Sequence, residues 1–179
     1  MSKKRITTCG LVVDASIAQA AGSTESKHPT GVLCRDFLLS IRSVCHRIAW
    51  TETINIEWNK HDSLFARQWR VSMLNLNKLR PVDCAEVSEI RESIREHCGD
   101  PDIVAIVLKD CHLVEAALAT DRRIASLDER VRGHLRKLAG SVNALRPIVW
   151  VNPANPNEGA VEWLENGAPA EKKRWLRIK

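Results

Sequence analysis

Asp110 and Asp128 bracket a stretch whose spacing brings two acids to one level. After Asp110, the run Ala116-Ala117-Leu118-Ala119 holds good helix formers with no Gly or Pro. Asp121-Arg122-Arg123 is a polar break, and Ile124 to Leu127 is a short apolar run suited to a buried strand. Ten helical steps from Asp110 to Thr120 descend about 15 Å. Four strand steps from Ile124 to Asp128 climb back about 13 Å. If helix and strand pack antiparallel, the two carboxylates finish together. Their repulsion then calls for a cation or a shared proton.

The elements that must position this pair follow in chain order. Leu11-Val12-Val13 is a short, doubly apolar strand of the kind found inside a parallel sheet, and Asp14 ends it. Taken alone, Asp14 reads more simply as a helix N-cap than as a catalytic acid. Helices are expected from Pro29 to about Arg47, over 51–60, from Leu64 to about Leu79, and from about Cys84 to His97. A short strand is expected over His46–Trp50. Within the helix at 64–79, Phe65, Trp69, Met73 and Leu76 form an apolar stripe that belongs to the core. Pro81 ends that helix. In the helix at 84–97, Val87, Ile90 and Ile94 point inward. Asp102 to Leu108 is an apolar turn of helix leading into Asp110. After Asp128 come a basic helix, Glu129–Leu138, a last strand over 147–151, and a helix over Glu158–Glu165.

Short strands separated by helices predict a doubly wound α/β domain, with its ligand site beyond the carboxyl ends of the strands. Asp14 and Asp128 both end strands. Asp110 opens the helix that leads to one of them. Oxygen-bearing residues gathered there would form a hard-cation site of the Mg²⁺ or Mn²⁺ kind. Glu115 is five residues past Asp110, about 140° around the helix, and does not share its face. His112 reads as a helix-surface residue.

Composition narrows the class. The chain has 179 residues, 44% of them hydrophobic, which suffices for one domain with a real core. The formal charge of +5 permits a polyanionic partner without requiring one. No apolar run is long enough to span a membrane, so no membrane partner is expected. The six cysteines form no Cys-x-x-Cys pair, and Met1 to Val13 does not read as a secretory signal. A reduced, cytoplasmic protein with free buried thiols is the expectation. Cys45-His46, His97-Cys98 and Cys111-His112 match no common zinc spacing.

The motifs in their order resemble the PIN nuclease domain. A strand ends in Asp14-Ala15-Ser16, and a mid-chain helix carries Glu57-Trp58. A helix then opens with Asp110-x-x-Leu113-x-x-Ala116-Ala117, and a strand ends in Ser126-Leu127-Asp128. The resemblance runs from Val13 through Pro153. It implies a three-layer α/β/α fold with a short, mainly parallel sheet over 1–155, with 156–179 as a basic extension packed on or beside it. It implies a catalytic and metal-binding set of Asp14, Glu57, Asp110 and Asp128, with Ser16 and Ser126 in support. Glu52 remains a rival to Glu57, since an acid in a first helical turn is also explained by the helix dipole. The implied chemistry is Mg²⁺- or Mn²⁺-assisted hydrolysis of RNA, leaving a 5′-phosphate and a 3′-hydroxyl. Arg122, Arg123, Arg130, Arg132 and the basic tail are candidates to hold the RNA backbone. Many such proteins are toxins of type II toxin–antitoxin pairs, so an antitoxin and a homodimer stay open as partners. The helices over 62–98 and the tail depart from that compact form. Two other readings compete. One is a PIN-like binding module without turnover. The other is a phosphatase-like α/β enzyme, which needs a second Asp where Ser16 stands.

Overall fold

The computed structural model describes residues 8–84 and 88–177. Its centre is β1 (Gly10–Val13), whose Leu11, Val12 and Val13 are buried. A strand covered on both faces has no polar side, and this one reads as a continuous apolar run for that reason. On one side β1 pairs in parallel with β2 (Arg47–Trp50), and β2 with β3 (Leu79–Pro81). On the other it pairs in parallel with β4 (Arg123–Ala125), and β4 with β5 (Val149–Val151). The order is β3-β2-β1-β4-β5. The strand order therefore reverses between β1 and β4.

Helices cover both faces and make a three-layer α/β/α domain, as expected. One layer holds α1 (Ala15–Ala20), α2 (Pro29–Ser43), α3 (Glu52–His61) and α4 (Leu64–Asn75). The other holds α5 (Ser88–His97), α6 (Pro101–Lys109), α7 (Cys111–Leu118) and α8 (Glu129–Leu138). Parallel strands force this arrangement. Crossovers of one hand lie on opposite faces when the chain steps outward from β1 in opposite directions. Trp58 is fully buried under the first layer. Its Nε1–H donates to the Val13 carbonyl at 3.0 Å, and its ring stacks on Trp69.

Several boundaries differ from expectation. The helix expected to reach Leu79 stops at Asn75, where Asn77 adopts a positive φ of 53° and turns the chain. The apolar stripe holds at Trp69 and Met73, but Leu76 is exposed. Leu79–Pro81 then forms the edge strand β3. Pro81 is tolerated there because an edge position does not need the N–H that proline lacks. α2 ends at Ser43, and His46 is a buried loop residue outside the strand. The turn expected at Asp102–Leu108 is a full helix, α6, capped by Asp100 and opened by Pro101. Ile90 and Ile94 do point inward from α5. Val87 lies outside the described residues.

The C-terminal residues belong to the same core. α9 (Ala160–Glu165) packs on α2 and buries Ala160, Trp163 and Leu164. Further on, the Leu176 N–H donates to the Ile148 carbonyl, and Trp175 bridges antiparallel to Val149. The tail thus covers the open edge of β5. The cysteines form no disulfide, but the expectation of buried thiols holds only for Cys9, Cys34 and Cys111; Cys45 is exposed. Among the described residues, no helix is long and apolar enough to cross a membrane.

Candidate active site

The crevice where the strand order reverses is the general ligand position of a doubly wound sheet. Asp14 follows β1 there, and Asp128 follows β4. The two are linked through the backbone, since the Asp14 N–H donates to the Ala125 carbonyl at 3.0 Å. They are linked again through Ser126, which is fully buried. Its hydroxyl donates to Asp14 Oδ2 at 2.7 Å and accepts the Asp128 N–H at 3.1 Å. The Ser16 hydroxyl donates to the same Oδ2 at 2.5 Å and accepts the Leu127 N–H at 3.2 Å. Two serines therefore fix one oxygen of Asp14 and lace it to the chain around Asp128.

The N-cap explanation of Asp14 fails on this geometry. Asp14 stands at the cap position of α1, yet its side chain makes no capping hydrogen bond. Asp110 likewise sits at the cap of α7 without capping it. Asp128 does cap, with its Oδ1 accepting the Val131 N–H at 2.8 Å at the start of α8. Two acids at helix starts thus leave their carboxylates for another use.

Asp110 completes the group. Burial pushes its carboxyl above the ordinary aspartate range, and the charges of Asp14 and Asp128 push it further. Lys109 and His112 pull the other way. Asp110, at the start of α7, thus lies within reach of the charges of both Asp14 and Asp128. Neither Glu57 nor Glu52 is among the charges acting on Asp110. Glu57 is half-buried on α3, one residue before the Trp58 that anchors this helix to β1, and it faces His61 at 3.8 Å. Glu52 is exposed and lines a separate cavity with Lys109 and His112. Glu115, left outside the acid set by its angle on the helix, is buried in a bidentate pair with Arg91, at 2.6 and 2.9 Å. Its place between Val114 and Ala116 is the sequence signal for such a partner, since a buried acid needs one.

The arginines divide. Arg122 and Arg123 open β4 at its amino end, so several strand steps, about 3.3 Å each, separate them from Asp128. Arg123 also donates to the carbonyls of Ala168 and Asp121. Arg132 is buried and donates to Glu129, Glu158 and the Trp150 carbonyl. Burial takes Arg132 out of reach of a substrate backbone, while Arg122 and Arg123 stand at the other end of β4 from Asp128. Arg130 is exposed in the first turn of α8, on the side of the acids. In the tail, Arg174 is tied to Glu171 and to the Glu158 carbonyl.

The donor set of carboxylates and hydroxyls is hard, of the kind Mg²⁺ and Mn²⁺ take. Among the described residues, no three His, Cys, Asp or Glu side chains are drawn close enough to enclose an ion. Mg²⁺ usually keeps several waters and takes only one or two carboxylates directly. The residues present fit a hydrated ion held at an open edge rather than one in a protein cage. No protein-family model matches the chain, and no curated protein or solved structure matches it either.

Proposed function

We propose that the protein is a cytoplasmic, Mg²⁺- or Mn²⁺-dependent endoribonuclease of PIN type. What supports this reading is the placing of Asp14 and Asp128 just past β1 and β4, where the strand order reverses, with burial and the charges of both acids raising Asp110. Such a group is costly to assemble without a cation to serve. The motif order from Asp14-x-Ser16 to Ser126-x-Asp128 supports the same reading, as does the hydroxyl lacing of Asp14.

Asp14, Asp110 and Asp128 would hold the ion, with Glu57 approaching from α3. Held there, an ion would lower the pKa of a bound water and offset charge on the phosphoryl group. Ser16 and Ser126 keep the Asp14 carboxylate in one orientation, so no reorganisation is needed as charge develops. Asp110 and Asp128 orient the attacking water for in-line displacement, which leaves a 5′-phosphate and a 3′-hydroxyl. Arg130 meets the RNA backbone beside them. Pairing with an antitoxin, or with a second copy of the chain, is a further part of this reading.

The alternative is a PIN-like binding module without turnover. Two measurements separate them. Mn²⁺ should raise the Tm of the wild-type protein, by about 2.7 kcal/mol of stabilisation at one hundred times its Kd, and should do so far less in Asp14→Asn/Asp110→Asn. With labelled RNA and Mn²⁺, only the wild type should cleave. Metal binding without cleavage of RNA or single-stranded DNA under any divalent ion would select the binding module.

A further inference from the structure

A polar cavity of about 320 Å³ opens on the β2/β3 side of the carboxylate group. That volume is at the lower end of small-ligand sites, about 300–1,000 Å³. Asp110 separates the two features. Lys109 and His112, on either side of it in the chain, line the cavity, and their charges act on Asp110. One wall is the Arg91–Glu115 pair, whose charges are spent on each other. The facing wall is the first turn of α3. There the Thr51 hydroxyl already accepts the Ile54 N–H, so Glu52 is not needed as the cap. Glu52 and Thr53 line the cavity instead, together with Asp83, Lys109 and His112. The His112 Nδ1–H donates to the Lys109 carbonyl at 3.2 Å, which leaves Nε2 for a ligand.

We infer that this cavity is a nucleotide subsite, taking the unpaired nucleotide next to the scissile phosphate and preferring guanine. The inference rests on the ribonuclease reading for its substrate class and goes beyond it in assigning Glu52. Lys109 meets the flanking phosphate, and His112 Nε2 accepts a hydrogen bond from the nucleotide. Glu52 reads the base. Single-stranded RNA is read on the Watson–Crick edges of splayed bases. Guanine alone presents two adjacent N–H donors on that edge, N1–H and N2–H, and a carboxylate accepts both. A hydrogen-bonding site rejects bases that leave its polar groups unpaired. Adenine and cytosine would set a ring acceptor against the Glu52 carboxylate.

The test has two arms. In the first, binding of 5′-GMP, 5′-AMP, 5′-CMP and 5′-UMP to the full-length protein is measured by calorimetry, without added metal. GMP should bind best, by about tenfold, and Glu52→Gln should remove the preference; Thr53→Val should weaken GMP while leaving the fold intact by circular dichroism. In the second, a randomised RNA pool is cleaved and the flanking base read by sequencing. Wild type should select G beside the cut, and the products of Glu52→Gln should show no such selection. Equal binding of all four nucleotides, or none, overturns the inference. So does an unchanged preference in Glu52→Gln, or its loss of all cleavage, which would move Glu52 into the acid set. Cleavage with no base effect would remove the subsite and leave the nuclease. Selective GMP binding without any cleavage would do the reverse.

Discussion

Asp14 occupies a residue where an acid ordinarily caps a helix, and two serine hydroxyls hold it elsewhere. At this scale the chain could be read directly. The Asp-x-Ser and Ser-x-Asp spacings place each hydroxyl two residues from its acid, and the structure uses both. What the spacing did not disclose is that both serines serve the same Asp14 oxygen. The electrostatic consequence falls on Asp110. Its carboxyl is raised by burial first, then by Asp14 and Asp128. A raised acid binds its proton more tightly when folded. The stabilising term is therefore full below the ordinary Asp value of about 3.9 and is lost as pH rises through the raised one. Asp110→Asn should accordingly melt higher than wild type at neutral pH in metal-free buffer. The gap should close as pH falls toward 4, and a melting series across pH would show it. A variant less stable than wild type at pH 7 would contradict this account of Asp110.

Elements settle which charges are available to a substrate. Asp128 both caps α8 and faces the crevice, and one substitution separates the two roles. Asp128→Ser keeps a capping oxygen and should stay within about 0.5 kcal/mol of wild type, whereas losing the cap altogether costs about 1 kcal/mol. RNA cleavage by Asp128→Ser should still fall at least a hundredfold. Full activity in that variant would reduce Asp128 to a cap. The basic residues of 122–132 looked alike in sequence because charge carries no mark of direction. Parallel strand polarity puts Arg122 and Arg123 at the wrong end, and the turn of α8 buries Arg132 while exposing Arg130. Arg132→Ala removes the ion partner of Glu158, which keeps the Asn152 N–H, and should cost about 3 kcal/mol in urea unfolding. Arg130→Ala should leave stability unchanged and lower the salt slope of RNA binding by about 0.7, one phosphate contact on a single strand. The reverse assignment of effects would overturn this division. The strand β3 went unread for a related reason. Its three residues carry too little pattern, and their role is set by pairing with β2 rather than by their own alternation.

Across the whole molecule, the doubly wound α/β class was legible from apolar runs alternating with helical periodicity. The position of the acid group followed from topology, because strands that diverge from β1 and β4 leave one crevice. The α8 boundaries match because Asp128 caps one end and Ala139-Gly140 closes the other. The C-terminal residues were less legible. Their basic composition suggested an extension packed on or beside the domain; Trp163, Leu164 and Leu176 enter the core, and the backbone near Trp175 closes the sheet edge. Long-range pairing of that kind leaves no local trace. Glu57 remains the acid whose part depends most on the family resemblance, for its neighbour here is His61. The cavity beside Lys109 was invisible in the chain because three separate segments build it. The claim that unites these scales is that Asp14 and Asp110 work together on a phosphodiester. Labelled single-stranded RNA incubated with Mn²⁺ tests it most directly, comparing wild type with the folded Asp14→Asn/Asp110→Asn variant. The account predicts cleavage to 5′-phosphate products by the wild type and at least a thousandfold loss in the variant, whereas equal cleavage by the two proteins would contradict it.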